Sequence, residues 1–561
     1  MLFVIILGLS LGCGTLTPTL LPTGTLAPTP TPTRLPPTAT LAPSPSPTAE
    51  PSPTPEGSPF TFTVRYHPDG SLYVGDLVSL EVIPPAEALP LEGNLSVQVD
   101  PPNGPVLGPA SFAPFGIAGR IQATFIWVWD TRLLDAGEHS LLFHVEPQGY
   151  TWSQTVTLLP AADLPADQAE ARWASVQTEC CTIHYVTGTA AERDLSLLTA
   201  LADAQAQHAI AQMGIEFSQP IVITLLPRLL GHGGFATHEI HVSYLGRNYA
   251  SNAWDLVVLH EMIHILDYRL GGNLRPSLLV EGLAVYLSDG HFKPEPLLPR
   301  AAALLDGRLG WYLPLAPLAD GFYAAQHEIG YLEAGALVQY MVERWGWEAY
   351  SAFYRDIAPH PSGKPSAAID AALQIHFGLS LAELEADFIA ALQAQPEAEA
   401  WLDDVRLTVT FYDTLRRYQQ LLDPSAYFAT AWLMDSQQMR QRGILADYLR
   451  TPTTPANLAL ETMLITAGED LASAPYDQAE VTLAAIGQVL DALENGAADP
   501  FAASPLAGDY YAIAAAVQQS GYLVEHIEIN GDSAFVLADA PRLNWVELRL
   551  LRHPDGAWRL E

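Results

Sequence analysis

Two histidines and a glutamate interrupt an otherwise apolar run at residues 257–266, which reads VVLHEMIHIL. His260 and His264 are four positions apart, so a helix places both imidazoles on one face, where they can reach a single ion. Glu261 lies beside the first of them and can reach a water molecule on that ion. His-Glu-x-x-His on a helix is typical of a zinc site with its own general base. The alternative is a buried helix whose two imidazoles bond to neighbouring carbonyl groups.

A catalytic zinc site of tetrahedral geometry needs a third protein ligand and leaves its fourth position to water. Leu270 occupies the position six residues after His264, where a third histidine would serve, and one helix rarely directs Asp267 to the same ion as both histidines. Glu281 is the better candidate because apolar neighbours surround it in RPSLLVEGLAVYLSDG, where an unpaired carboxylate is costly. A surface position for Glu281 fits those neighbours poorly.

Two helices joined by a short loop must position these side chains. The first is predicted to begin near Ser251 or Asn252, which are good N-cap residues, and to end at Gly271–Gly272. The second is predicted to begin near Pro276, because proline suits the first turn of a helix. Packed antiparallel, the pair brings Glu281 to the two histidines.

This combined pattern resembles the gluzincin metallopeptidases, and in particular the peptidase-MA-like domains of bacterial surface proteins. The resemblance rests on the first helix and on a second-helix motif of five residues, which are Pro276, Glu281, Gly282, Ala284 and Tyr286. Leu278 stands where those domains usually have tryptophan. The similarity extends over about residues 170–395, with HYVTGTAAERDL near its start and IDAALQIHFGLSLAELEADFIAAL at its end.

The resemblance implies a peptidase that uses one Zn²⁺, with His260, His264 and Glu281 as its ligands. Zinc in such a site lowers the pKa of a bound water molecule toward ~7. Glu261 is then the general base, which accepts a proton from this water and later delivers it to the departing amine.

Gluzincins also stabilise the oxyanion of the reaction with a tyrosine or histidine that follows the glutamate ligand. Tyr331 is the first choice for this role because it begins the helical stretch YLEAGALVQYM, and Tyr323 and His327 are the alternatives. Each of the three could equally be a packing or surface residue.

The stretch EIHVSYL, just before the first helix, matches the gluzincin edge strand, which pairs with the substrate backbone and gives affinity without sequence preference. His238 and His241 lie at this strand and are interpreted as structural or substrate-contacting residues rather than as ligands. Val285 occupies the position where some relatives have an aspartate near the ligands. Asp255 or Asp289 is the candidate to orient a histidine instead.

The 561-residue chain has 62 acidic and 26 basic residues, which gives a formal net charge of −36. This balance argues against a nucleic-acid partner, because such a partner requires basic patches. The three cysteines exclude a disulfide scaffold. Cys180 and Cys181 are sequence neighbours that pair only with strain, so they are predicted to be buried thiols in a strand, with a free reactive thiol as the alternative.

The first residues are predicted to be a targeting signal rather than a folded domain. Residues 2–12, LFVIILGLSLG, have the length of a signal-peptide core, and the step from Gly12 to Cys13 resembles the lipobox of bacterial lipoproteins. We predict a signal peptide over 1–13, with lipidation of Cys13 and attachment to the extracellular face of the bacterial cell membrane through this lipid anchor alone. Plain secretion is the alternative. The Pro/Thr-rich residues 14–58 are predicted to form an extended stalk.

Beyond the stalk, the pattern predicts a multidomain chain with four further units. Short strands of alternating polarity predict an immunoglobulin-like β-sandwich over 59–162. An α+β zincin-type domain, the peptidase-MA-like zinc domain of the resemblance, is expected over 165–398. Helical periodicity predicts a helical segment over 399–498, and a helix followed by three strands predicts a small α+β domain over 499–561.

Together these features predict an extracellular zinc-dependent peptidase that acts on a peptide or protein substrate. A non-enzymatic alternative is a surface-anchored binding or adhesion protein with a degenerate peptidase domain, although a degenerate site need not keep Glu261. A third interpretation is a zinc hydrolase for another amide, such as cell-wall peptide, which the motif does not distinguish. The sequence predicts neither the natural substrate nor the oligomeric state.

Overall fold

Three β-sheets and a helical segment build the part of the chain that the structure describes. The computed structural model describes residues 57–561, except 117–118, 216, 218, 232, 252, 292, 397, 433 and 541–543. The predicted signal peptide, Cys13 and the stalk up to residue 56 lie outside the described residues, and so does Asn252. The described chain is a multidomain α+β protein, as predicted, and none of its helices is long and apolar enough to cross a membrane.

The first sheet forms from stretches that alternate apolar and polar residues between turns. Its strands are β1 (Thr63–His67), β2 (Leu72–Tyr73), β3 (Leu77–Ile83), β4 (Asn94–Val99), β5 (Val106–Phe115), β6 (Arg120–Asp130), β7 (Gly137–Glu146) and β8 (Tyr150–Leu159). They join in the order β1-β3-β6-β5-β4-β7-β8-β2, and all pairs are antiparallel except β2 with β8. The predicted strands are thus present as one continuous eight-stranded sheet, and the immunoglobulin-like sandwich stays a prediction.

The second sheet has five strands and supports the helices that carry the candidate site. The strands are β9 (Trp173–Gln177), β10 (Cys181–Val186), β11 (Ile221–Leu226), β12 (Gly234–Ala236) and β13 (Ile240–Ser243). Their order is β12-β13-β11-β10-β9, with β10, β11 and β13 parallel to one another. Strand β13 is therefore internal, and the prediction that EIHVSYL forms the edge strand is wrong. The edge is β12, which turns back through 237–239 and pairs antiparallel with β13.

Cys180 and Cys181 are joined by a disulfide, so the prediction of free buried thiols is wrong. The prediction assumed that both residues lie in a strand, where successive side chains point to opposite faces. Only Cys181 belongs to β10, and Cys180 lies in the turn before it. Asp203 and Thr178 accept hydrogen bonds from the two cysteine amides at 2.9 and 3.0 Å and fix this turn.

Eleven helices belong to the same region of the described chain as the second sheet. They are α1 (Ala166–Glu170), α2 (Ala190–Arg193), α3 (Leu195–Met213), α4 (Trp254–Leu270), α5 (Ser277–Leu287), α6 (Leu297–Ala303), α7 (Leu315–Asp320), α8 (His327–Trp345), α9 (Trp347–Asp356), α10 (Pro365–His376) and α11 (Leu381–Gln393). Helix α4 ends before Gly271, as predicted, but begins later than predicted. Ser251 has a φ of +53°, in the left-handed region, whereas an N-cap residue has an extended backbone.

Helices α5 and α8 approach each other closely through two glycines. A Cβ atom on Gly282 would lie 2.5 Å from the carbonyl oxygen of Ala334, and one on Gly335 would lie 2.4 Å from Cγ1 of Val285. Both distances are too short for real Cβ atoms, so only glycine permits this contact. The pair of close contacts sets the distance between the helix that carries Glu281 and the helix that carries Tyr331.

The remaining helices lie beyond residue 400, as predicted, and precede the third sheet. They are α12 (Leu402–Leu422), α13 (Pro424–Thr430), α14 (Ser436–Gln441), α15 (Ala446–Leu449), α16 (Pro455–Ser473), α17 (Tyr476–Glu494) and α18 (Pro505–Gln519). The third sheet is antiparallel, with strands in the sequential order β14 (Leu523–Asn530), β15 (Ser533–Ala540), β16 (Asn544–Arg552) and β17 (Trp558–Leu560). The short β17 adds one strand to the three that were predicted.

Buried ion pairs tie the helices beyond residue 400 to both preceding regions. Arg450, at the end of α15, donates to both carboxylate oxygens of Asp76 at 2.6 and 2.8 Å, next to β3. Arg300 of α6 donates to Asp404 of α12 at 2.6 Å. Charged groups in such surroundings are costly unless paired, so these contacts fix how the segments pack.

Candidate metal centre

Three side chains from α4 and α5 converge on one point. Nε2 of His264 lies 3.1 Å from Nε2 of His260 and 3.1 Å from Oε2 of Glu281, and the distance from His260 Nε2 to the same carboxylate oxygen is 3.5 Å. The two imidazole planes are nearly perpendicular, at 86°. The donor atoms of all three lie within 4.8 Å of one another. Two imidazole nitrogens and one carboxylate oxygen form a donor set that suits Zn²⁺.

The corner between α4 and α5 is held by Asp267, the last buried residue of α4. Its carboxylate accepts hydrogen bonds from Arg275 at 2.8 Å and from the hydroxyl of Tyr354 at 2.9 Å, and it lies 2.6 Å from Nη1 of Arg355. Arg355 also donates to the carbonyl oxygen of Gly271 at 2.7 Å. Asp267 is therefore a structural tie that fixes the angle between the two ligand helices, which agrees with its rejection as a ligand.

The charges of the three candidate ligands depend strongly on one another. Burial would raise the pKa of Glu281, but the charge of His264 and hydrogen bonds from both imidazoles bring it well below its ordinary value. Burial opposes the charged form of His264, yet the carboxylate of Glu281 outweighs it and raises the pKa of His264 to about 9. Burial lowers the pKa of His260. The negative charge of Glu281 thus stabilises a positive charge at the point where the three side chains meet.

Glu261 is buried directly beside this point and is only 5% exposed. Its Oε2 atom has no hydrogen-bond partner among the described residues. Burial raises the pKa of this carboxyl to about 8. A buried carboxyl with an unused oxygen next to a ligand is placed to accept a proton and to return it.

Tyr331 belongs to an aromatic stack that lies against His260. Its ring is 8% exposed, stacks on His291 with centroids 4.1 Å apart, and lies 4.3 Å from the ring of His327 and 6.4 Å from that of His260. Burial, followed by the charge of Glu281, raises the pKa of Tyr331 well above its ordinary value. His291 was not predicted from the sequence, because it follows the turn after α5 and belongs to no motif.

Tyr323 contacts the candidate ligand Glu281 directly. Its hydroxyl donates a hydrogen bond of 2.7 Å to Oε1 of Glu281, although the tyrosine as a whole is 65% exposed. Of the three residues predicted as possible oxyanion donors, Tyr323 bonds to the carboxylate ligand and His327 lies in the aromatic stack. Tyr331 lies in the stack too, close enough to Glu281 for that carboxylate to raise its pKa.

The other polar residues predicted near the site lie elsewhere. His241 is fully buried on β13, stacks on Phe235 at 4.2 Å and contacts Ser436, and burial lowers its pKa to about 4. It is a structural residue, whereas the neighbouring His238 is exposed. In the described part of the chain, neither Asp255 nor Asp289 forms a hydrogen bond with His260 or His264, so the expected orientation by an aspartate is absent there.

The chain thus has a candidate His-His-Glu metal site, with both histidines on one helix and the glutamate on the next. No family model matches the chain, and no curated protein does. A solved structure, that of an aminopeptidase N family protein from Idiomarina loihiensis, is similar over 61% of this chain and 78% of that one, with 10% identity and a TM-score of 0.26. A likeness at this level assigns neither a fold nor an activity to the chain.

Proposed function

We propose that this chain is an extracellular zinc-dependent peptidase of the gluzincin type. The observation that carries the proposal is the convergence of His260, His264 and Glu281, whose donor atoms come from two helices and lie within 4.8 Å of one another. Residues spread over a surface or packed by chance in a core have no reason to bring two imidazoles and one carboxylate together in this way. The donor set is that of catalytic zinc sites, in which water occupies the fourth position.

Zinc bound by these three residues would supply a Lewis acid, which lowers the pKa of water and polarises a carbonyl group. The positive charge of a bound zinc ion would lower the pKa that burial raises, so Glu261 would be ionised there. Its carboxylate takes a proton from the attacking water and passes it to the amine nitrogen as the peptide bond breaks. The burial of Glu261 supports this role, because few neighbouring groups compete for its unused oxygen. Tyr331 is our proposed donor to the oxyanion, since its ring lies against His260 and its stack with His291 and His327 fixes its orientation.

The test combines metal analysis with hydrolysis of an unfolded protein substrate by the purified chain. We expect one zinc per chain, loss of hydrolysis on chelation, and recovery when zinc is restored. Glu261→Gln should keep the zinc and reduce hydrolysis by about 10²–10⁴-fold, because only the proton transfer is removed.

Glu333→Gln is the matched control for this test. Glu333 lies on α8, is buried, and has a pKa that burial raises to about 8, as for Glu261, but it binds the backbone amide of Leu313 at 3.0 Å instead of facing the centre. The control should retain full hydrolysis. Full activity of Glu261→Gln would contradict the assigned base.

The same measurements of zinc content and hydrolysis on the purified chain distinguish two other functions. A chain that binds no zinc and cleaves nothing would be a surface binding or adhesion protein with a degenerate site. A chain that binds zinc and cleaves cell-wall fragments but not unfolded proteins would be a hydrolase for another amide.

A further inference from the structure

The two carboxylate oxygens of Glu281 have separate partners. Oε2 faces the imidazoles, at 3.1 Å from His264 and 3.5 Å from His260. Oε1 points the other way and accepts the hydroxyl of Tyr323 at 2.7 Å. A carboxylate held in this way presents a single oxygen to the point where the three candidate ligands meet.

Tyr323 reaches this carboxylate from a short surface element. It belongs to the single 3₁₀ turn Phe322–Ala324, between α7 and α8. The preceding residue, Phe322, is buried and packs edge-on against the ring of Tyr323, with centroids 5.4 Å apart, and against Tyr331 at 5.2 Å. Phe322 therefore anchors the turn, and the ring of Tyr323 remains largely in solvent.

The exposure of Tyr323 limits what the residue can contribute to stability. A tyrosine that is 65% exposed buries little apolar surface, so packing does not explain its position. Its hydroxyl donates a hydrogen bond to a buried, charged carboxylate and also lies within hydrogen-bond reach of the Ser277 side chain. Bonds of this type are short and about twice as strong as neutral ones, and they orient the acceptor.

We propose that Tyr323 is a positioning residue that holds Glu281 for the metal, a role separate from that of oxyanion donor. This inference rests on the proposed function, since it requires that the centre binds zinc. With Oε1 occupied by the phenol, the carboxylate is fixed in rotation and offers Oε2 alone to the ion. Groups that orient a ligand in this way change metal affinity by about 10–100-fold.

The two tyrosines of the centre then have different tasks. Tyr331 lies in the aromatic stack against His260, where it is placed to act on the reacting group. Tyr323 acts on the ligand before any substrate arrives. Loss of the Tyr323 hydroxyl should therefore reduce zinc affinity, and loss of the Tyr331 hydroxyl should reduce turnover.

The experiment measures the zinc dissociation constant of the full chain by competition with a chromophoric chelator, followed by peptide hydrolysis at saturating zinc. For Tyr323→Phe we expect the dissociation constant to rise about 10–100-fold and kcat at saturating zinc to stay within a few-fold of wild type. Tyr268→Phe is the control, because Tyr268 is 70% exposed and lies near the end of α4, the helix that carries both histidines. It should change neither quantity.

The possible outcomes separate this inference from the proposed function. A wild-type chain that does not bind zinc contradicts the proposed function itself. If the wild type binds zinc and Tyr323→Phe binds it equally well, the positioning role is wrong. If affinity is unchanged but kcat falls about 10²-fold or more, Tyr323 is the oxyanion donor instead. Without metal, both chains should be folded, and the unfolding temperature of Tyr323→Phe should be slightly lower, because the substitution removes one hydrogen bond to a buried carboxylate.

Discussion

Two buried carboxyl groups of this protein, those of Glu281 and Glu333, differ in the charges that lie beside them. Glu281 faces two imidazoles and has a pKa well below its ordinary value. Glu333 lies on α8 near the like charge of Glu385, and burial raises its pKa to about 8. The first carboxyl is thus charged in the folded chain at neutral pH, while the second is held in its neutral form.

Glu333→Gln should make the stability of the chain less dependent on pH. In the unfolded chain Glu333 ionises near its ordinary pKa of 4.5, whereas in the folded chain it ionises only near pH 8. Its contribution to the free energy of unfolding is therefore present below about pH 4.5 and is lost as the pH rises to about 8. Glutamine has the shape of the neutral acid and does not ionise. Relative to wild type, the variant should gain stability between pH 5 and pH 8, on the order of a few kcal/mol.

The measurement is the free energy of unfolding of both chains in denaturant at pH 5 and pH 8, without added metal. A difference between the chains that is the same at both pH values would contradict the assignment of a neutral buried Glu333.

At the residue scale, the sequence predicted those contacts that local geometry determines. The spacing of His260, Glu261 and His264 predicts their arrangement because a helix fixes it. Tyr323 meets Glu281 across 42 positions, and only the packing of the turn at 322–324 reveals that contact. His291 gave no signal, because a ring that stacks on another has no fixed sequence spacing.

At the scale of elements, the centre depends on how closely α5 approaches α8. Gly282 adjoins the ligand Glu281, and the carbonyl oxygen of Ala334 lies only 2.5 Å from the position that its Cβ atom would take. That oxygen belongs to the helix backbone, so it cannot move aside without displacing α8. The geometry of a metal ligand is therefore linked to a contact between two helix backbones.

Gly282→Ala should separate these helices and weaken the centre. We expect a loss of about 1–3 kcal/mol in the free energy of unfolding, as for other overpacked cores, together with weaker zinc binding. Unfolding in denaturant and chelator competition measure the two effects.

Gly487→Ala is the control for Gly282→Ala, since a Cβ atom on this α17 glycine meets nothing within 4 Å. It should stabilise the chain by up to about 1 kcal/mol through helix propensity alone. Equal effects of the two substitutions would show that the contact between α5 and α8 does not matter.

The elements themselves were predictable to different degrees. The end of α4 followed from Gly271–Gly272, and its start was misjudged because the left-handed backbone of Ser251 is invisible in the sequence. Strand β12 was missed because a three-residue strand has too few residues to show alternation. That strand occupies the sheet edge, so the error changed which strand could pair with a peptide.

At the scale of the whole molecule, strand and helix content could be predicted but the arrangement of strands could not. Polarity alternates in the same way in one curled sheet and in two stacked sheets, so the sequence could not distinguish between them. The order β1-β3-β6-β5-β4-β7-β8-β2 depends on pairings between strands that are distant in the chain.

The position of the whole protein in the cell is open to a direct test. We propose that Cys13, outside the described residues, is lipidated and anchors the chain to the membrane. Cys13→Ser should move the protein from the membrane fraction to the soluble or secreted fraction of a bacterial host, because the anchor is the only membrane-binding group proposed. The neighbouring Thr15→Ser is the control and should remain in the membrane fraction. If Cys13→Ser also remains there, the lipid anchor is wrong.

The pair formed by Arg450 and Asp76 joins residues 374 positions apart in the chain. Separation of the first sheet from the later helices would break this ion pair. Until water reaches both groups, a buried guanidinium and a buried carboxylate without partners would raise the free energy. Opening at that boundary alone is therefore disfavoured relative to opening of both sides at once. We therefore expect limited proteolysis to release no stable fragment from either side, because the sheet and the helices should unfold together.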